Sequence, residues 1–147
     1  MVKKMKSMSL IGLMLILAGA LGLFSTDSIF ASGVILKTIQ ILAVLLMIWA
    51  RITFGSRSFH AAANPTEGGL VTTGPYKFIR HPIYAFIFYF VWASFISHVG
   101  ILNLVFVIIV NLGIALRIIA EEHLIVKRYP EYAGYSARTK RIIPYIF

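Results

Sequence analysis

Residues 74–84 read GPYKFIRHPIY and gather two Pro, an Arg, a Lys, a His and two Tyr directly before a run of Phe, Ile and Trp. Further along stand Arg117, Glu121 and Glu122. Arg117 and Glu121 are four apart and share one face of a helix, while Glu122 turns about 100° away. Such a set can line a polar wall at the membrane boundary, where ionisable groups mark binding sites. The same residues also admit plainer accounts: an intrahelical ion pair with a snorkelling Arg, a His bonded locally beside Pro, and an interfacial belt of Tyr. Residue types alone leave both accounts open.

The absences narrow the chemistry. The chain has no Cys, which excludes thiolate metal sites and a cysteine nucleophile. His60, His81, His98 and His123 show no metal-ligand spacing, so no metal is expected. There is no GxGxxG after a strand, no GxxxxGK[ST] and no GxSxG elbow. A nucleophile-based hydrolase is poorly supported, and a reaction that brings two bound molecules together fits better.

The elements that must position these residues are apolar. Of 147 residues, 59% are hydrophobic and only 13% charged, about half the charged share of a soluble domain. Four apolar blocks, at about Met8–Phe24, Gly33–Ile52, Ile83–Ile96 and Ile101–Ala120, predict an all-α polytopic membrane protein with about four spanning helices. The third is short for a span unless it borrows residues from Tyr76–Pro82. The N-terminus resembles a signal peptide up to Ala18–Ala20, but its apolar run continues to Phe24 and reads as a first spanning helix.

Lys3, Lys4 and Lys6 precede helix 1; Arg51, Arg57, Lys77 and Arg80 fall between helices 2 and 3; the rest of the basic residues cluster from Arg117 onward, except Lys37, which sits near a helix end where it can snorkel. The two opposite connections have none, which places both termini and the 53–82 loop in the cytoplasm of a cell or inner membrane. The net charge of +9 is thus explained by the membrane and its lipids rather than by nucleic acid. The chain reads as one membrane-embedded domain: helices 1 and 2 over 1–52, a cytosolic loop over 53–82, helices 3 and 4 over 83–120, and an interfacial tail over 121–147.

Two stretches carry a resemblance. LVTTGPYKFIRHPIY (70–84) and RIIAEEHLIVKRYPEYAGYSARTKRIIP (117–144) resemble the isoprenylcysteine carboxyl methyltransferase family and the related phospholipid N-methyltransferases. The shared pattern is Gly-x-Tyr, Arg-His-Pro-x-Tyr, a transmembrane hairpin, Glu-Glu-x-x-Leu, Tyr-x-x-Tyr and Arg-x-x-Pro. It covers roughly the C-terminal half.

The resemblance implies S-adenosyl-L-methionine as methyl donor, in a cytosol-facing pocket built from helices 3 and 4 and the tail. Carried over by position, Leu70, Val71, Tyr76, His81, Pro82, Ile83 and Tyr84 line the cofactor site. Glu121 holds a polar group of the cofactor, Glu122 is a further candidate, and Arg117 meets the substrate. Where the eukaryotic enzymes have a His before Leu-Val-Thr, this chain has Gly68 and Gly69. Tyr faces can stabilise a sulfonium, and His, backbone groups and a carboxylate can bond its polar ends. A lipophilic carboxylate acceptor entering from the bilayer suits the Arg117 fork and needs no general base. Its alternative is a phospholipid or small hydrophobic amine, whose proton only His81, Glu121 or Glu122 could take. A small transporter, a membrane scaffold and a nicotinamide-dependent reductase are the readings from other classes.

Overall fold

The structure is a computed structural model, which describes residues 2–55 and 69–146. Arg57, His60, Glu67 and Gly68 therefore lie outside the described residues. Five α-helices follow one another: α1 (Val2–Ser25), α2 (Val34–Phe54), α3 (Pro82–Ser97), α4 (Ile101–Arg128) and the short α5 (Tyr132–Arg138). A 3₁₀ turn, Gly74–Lys77, precedes α3. The protein is an all-α membrane protein: α1, α2 and α4 are long and apolar enough to cross a bilayer. Their outer faces expose large apolar residues such as Val34 (82%), Ile52 (76%) and Leu21 (67%), a surface suited to lipid.

Three boundaries differ from the sequence reading, each for a physical reason. Helix α1 starts at Val2 rather than near Met8, so Lys3, Lys4 and Lys6 belong to its first turns; Lys is a good helix former and snorkels at an interface. Helix α3 gains only Pro82 at its start and Ser97 at its end and has 16 residues, about 24 Å of rise against the roughly 30 Å of a hydrocarbon core. Proline at N1 lacks the N–H that a longer helix would need there. Helix α4 runs past Ala120 to Arg128. Glu121 lies about 30 Å along it, where a span leaves the hydrocarbon.

The helices pack in the order α1, α4, α3, α2, each antiparallel to its neighbour. Along the α1–α4 seam Ser9, Gly12, Ile16, Gly19 and Leu23 of α1 are buried, a 3–4 spacing that keeps one stripe against α4. Gly12 and Gly113 bring the two backbones together: a Cβ on Gly12 would stand 2.7 Å from the Gly113 carbonyl oxygen. The main core joins Ile16 and Leu23 to Val107, Val110, Ile114 and Ile118 of α4 and to Tyr84, Ala85 and Val91 of α3.

The α1–α2 connection crosses the end of the α3–α4 hairpin and is tied to it by polar side chains. Buried Gln40 accepts from Ala31 N at 2.9 Å and donates to Ile29 O at 3.0 Å and Ser94 Oγ at 3.0 Å. Asn103 donates to Ser28 Oγ at 3.0 Å. This clasp satisfies loop groups that lipid cannot.

Candidate functional site

At the opposite end of the bundle, residues 79–81 lie beside residues 139–142 of the tail. Arg80 N donates to Lys140 O at 2.7 Å and His81 N to Arg141 O at 2.9 Å, an isolated parallel bridge in an otherwise helical protein. Above it the 3₁₀ turn presents Tyr76, whose carbonyl accepts from Tyr135 OH at 2.7 Å and whose ring lies 5.5 Å from that of Phe54. Burial first, then the nearby Tyr135 and Glu121, pushes the Tyr76 phenol well above its ordinary range. Burial raises Tyr135 to about 12 against the pull of the Arg80 charge. Both phenols are therefore neutral donors at physiological pH.

Two polar knots hang from α4. In the first, Arg117 Nε donates to Tyr84 OH at 2.7 Å, and Tyr84 OH donates to Glu121 Oε1. Arg117 also donates from Nη1 to Ser9 O at 3.3 Å and from Nη2 to Glu121 Oε1 at 3.5 Å. Its guanidinium carbon stands 5.6 Å from the Tyr84 ring centroid. The i,i+4 spacing that predicts the Arg117–Glu121 pair holds, yet Arg117 is only 7% exposed. A buried guanidinium is sustained only by such a set of acceptors.

In the second knot, Glu122 accepts from four side chains. Arg80 Nε lies at 3.0 Å and Tyr132 OH at 3.2 Å from Oε1; Arg141 Nη2 and Nε lie at 2.9 and 3.1 Å from Oε2. His81 Nε2 is 3.3 Å from Oε1. Arg80 adds bonds to Ser136 O, at 2.9 Å, and to Thr139 O. His81 joins the knots, since its Nδ1 faces Glu121 Oε2 at 3.8 Å.

The structure thus brings Tyr76, His81, Pro82, Tyr84, Arg117, Glu121 and Glu122 to one end of the bundle. Pro82 is buried at the start of α3, with Ile83 half-buried beside it. Leu70 and Val71 are half-buried in irregular chain leading into the turn. The two acids differ in kind. Both Glu122 oxygens are committed to neighbours, whereas Glu121 Oε2 has no hydrogen bond among the described residues and meets only His81 at 3.8 Å. That oxygen, with the neighbouring Tyr and His rings, fits a hydroxyl or ammonium of a polar ligand.

Sequence reasoning gave no role to Ser9, Arg80, Tyr132, Tyr135 or Arg141. Four of these stand in the quoted motifs, Arg-His-Pro, Tyr-x-x-Tyr and Arg-x-x-Pro, and the pattern itself was their signal. Ser9 acts through its backbone carbonyl, which no residue type announces. Among the described residues, no cluster of three His, Asp or Glu could hold a metal ion.

A model of the phospholipid methyltransferase family matches residues 28–132. The nickel-cobalt-cadmium resistance protein NccN of Alcaligenes xylosoxydans xylosoxydans is 34% identical over 83 residues, 51% of this chain and 36% of that protein. The chain thus spans little more than a third of that relative's length. No solved structure matches significantly.

Proposed function

Since the chain belongs to the phospholipid methyltransferase family, we propose that it transfers a methyl group from S-adenosyl-L-methionine to a lipophilic, carboxylate-bearing acceptor that enters from the bilayer. The observation that carries the reading is the juxtaposition of Tyr84, Arg117 and Glu121 with His81 at the end where α4 leaves the hydrocarbon. Glu121 Oε2 takes a hydroxyl or ammonium of the cofactor, and the faces of Tyr76 and Tyr84 favour its positive charge. His81, Pro82, Ile83, Leu70 and Val71 complete the wall. Glu122, saturated by its neighbours, positions this wall and does not contact the cofactor.

The bound cofactor supplies an electrophilic methyl group. Arg117 orients the acceptor anion: its bond to Glu121, at 3.5 Å, is longer than its bond to Tyr84, at 2.7 Å, and more readily exchanged. A carboxylate held by Arg117 would need no general base, because it is already ionised and its methyl ester would be neutral, with the donor sulfonium leaving as a thioether. Alignment of the two reactants provides the acceleration. The basic flanks face the cytoplasm in this reading, with both termini and the site on that side.

A second reading, methylation of a phospholipid or small hydrophobic amine, is favoured by the His81–Glu121 contact, since an amine must first lose a proton and this pair can take it.

Calorimetry of S-adenosyl-L-methionine with the protein in nanodiscs tests the proposal. Saturable binding is expected, weakened in both Glu121→Ala and His81→Ala. A folded wild-type protein that binds none overturns it.

A further inference from the structure

Helix α1 precedes the stretch that matches the family and carries no side chain with obvious chemistry. Small residues in a seam are ordinary in membrane helix packing and by themselves imply no function. At one level, however, this seam touches the site. Ser9 O accepts from Arg117 Nη1 at 3.3 Å, a bond in which a helix carbonyl uses its second lone pair. The contact requires α1 to lie unusually close. A Cβ on Gly12 would stand 2.8 Å from Arg117 Cγ and 2.7 Å from Gly113 O, and one on Gly113 would stand 2.6 Å from Gly12 O. The Arg117 stem thus runs over the bare face of Gly12 before its head turns to Tyr84 and Glu121.

We propose that Gly12 is a positioning residue for the transfer reaction: by letting Ser9 O reach Arg117, it fixes the direction in which the guanidinium meets the acceptor's anionic group. The proposal rests on the role given to Arg117 above. It assigns to α1, outside the matched stretch, a part in choosing the acceptor. Arg117 bonds to acceptors on α1, α3 and α4, and the α1 acceptor is a backbone carbonyl that cannot swing aside. An added methyl at Gly12 pushes the stem away from α1, lengthens the Ser9 bond and turns the fork off its line.

The test compares Gly12→Ala with Gly19→Ala. Gly19 lies on the same seam, and its added Cβ would be as crowded, 2.5 Å from Val110 Cγ2 and 2.7 Å from Phe106 O, but far from Arg117. The first readout is the ¹⁵N–¹H signal of Arg117 Nε in nanodiscs, identified by its loss in Arg117→Lys. Gly12→Ala is expected to shift or broaden it, and Gly19→Ala to leave it in place. An unmoved signal in Gly12→Ala, or equal displacement in both, overturns the inference and returns α1 to a packing role. Should Gly12→Ala not fold, Gly113→Ala moves α1 away from the other side and is expected to give the same displacement. Methyl transfer to N-acetyl-S-farnesylcysteine, a prenyl-thioether carboxylate, is measured alongside. A raised KM for this acceptor in Gly12→Ala, with unchanged S-adenosyl-L-methionine affinity, supports the inference. Absence of transfer in the wild type counts against the acceptor class, while the spectra still decide the role of Gly12.

Discussion

Replacing Glu122 by Gln keeps the size of the side chain, removes its charge and turns one of its two acceptor oxygens into a donor. The donors it serves come from three segments: Arg80 and His81 before α3, Tyr132 in α5, and Arg141 in the tail. Hydrogen bonds to charged groups contribute about 1.5–3 kcal/mol when buried, and exposed ion pairs about 1 kcal/mol or less. The Arg80 side chain is 9% exposed and belongs to the first class; that of Arg141 is 40% exposed and belongs to the second. Taking about 2 kcal/mol for Arg80 and about 1 kcal/mol for Arg141 gives about 3 kcal/mol, a roughly hundredfold weaker docking of the tail. Helix packing elsewhere is untouched, so the loss is local. Hydrogen exchange read by mass spectrometry in nanodiscs reports it through the Arg80 and His81 amides, which donate to the tail at Lys140 O and Arg141 O. Exchange there is expected to accelerate about a hundredfold, while amides near the Gln40 clasp stay unchanged. Acceleration of threefold or less refutes the view that the carboxylate holds the tail.

Tyr84→Phe removes the hydroxyl between Arg117 and Glu121 and leaves the ring; it is expected to lower methyl transfer by about tenfold or more and to cost roughly 1–2 kcal/mol of thermal stability, checked by turnover and melting. Gln40→Leu strands Ala31 N and its neighbours at the far end and is expected to cost about 2–3 kcal/mol in stability, with cofactor affinity unchanged by calorimetry. Tyr135 titrates higher in the folded protein, at about 12, than its ordinary value of 10.0. Its contribution is therefore complete below pH 10 and lost as the pH rises towards 12. Tyrosinate absorbance and tail exchange, followed together, are expected to change in that window.

Much of this architecture could be read from hydropathy and basic residues, since four apolar blocks and two turns without Lys or Arg leave few ways to thread a bilayer. The helix ends were harder. Lys3, Lys4 and Lys6 read as a flank, yet their long stems let α1 begin at Val2. Of the site, Arg117, Glu121, His81 and Tyr84 are singled out by the family resemblance, since their types alone also fit an ion pair, a locally bonded His and an interfacial Tyr. What residue types could not separate was Glu121 from Glu122: adjacent acids look alike in sequence, and only the packing decides which one is saturated by Arg80, Arg141 and Tyr132. The hold of α1 on Arg117 was equally hidden, being made by a carbonyl and by the absence of a side chain at Gly12.

The packing order α1, α4, α3, α2 has a consequence for how the protein is made. Helices α1 and α2 leave the ribosome before α3 and α4 and are not main packing partners of one another; α1 waits for α4, and α2 for α3. During synthesis the first pair must therefore stand in the bilayer as separate spans, with the Gly12–Gly19 face of α1 open to lipid or to an insertion chaperone. Only when α3 and α4 arrive as a hairpin can all four helices close, and Asn103 and Ser94 then fasten the earlier loop. Assembly is in this sense post-insertional, and a chain arrested before residue 101 would display an unmated glycine face to the quality-control machinery of its membrane.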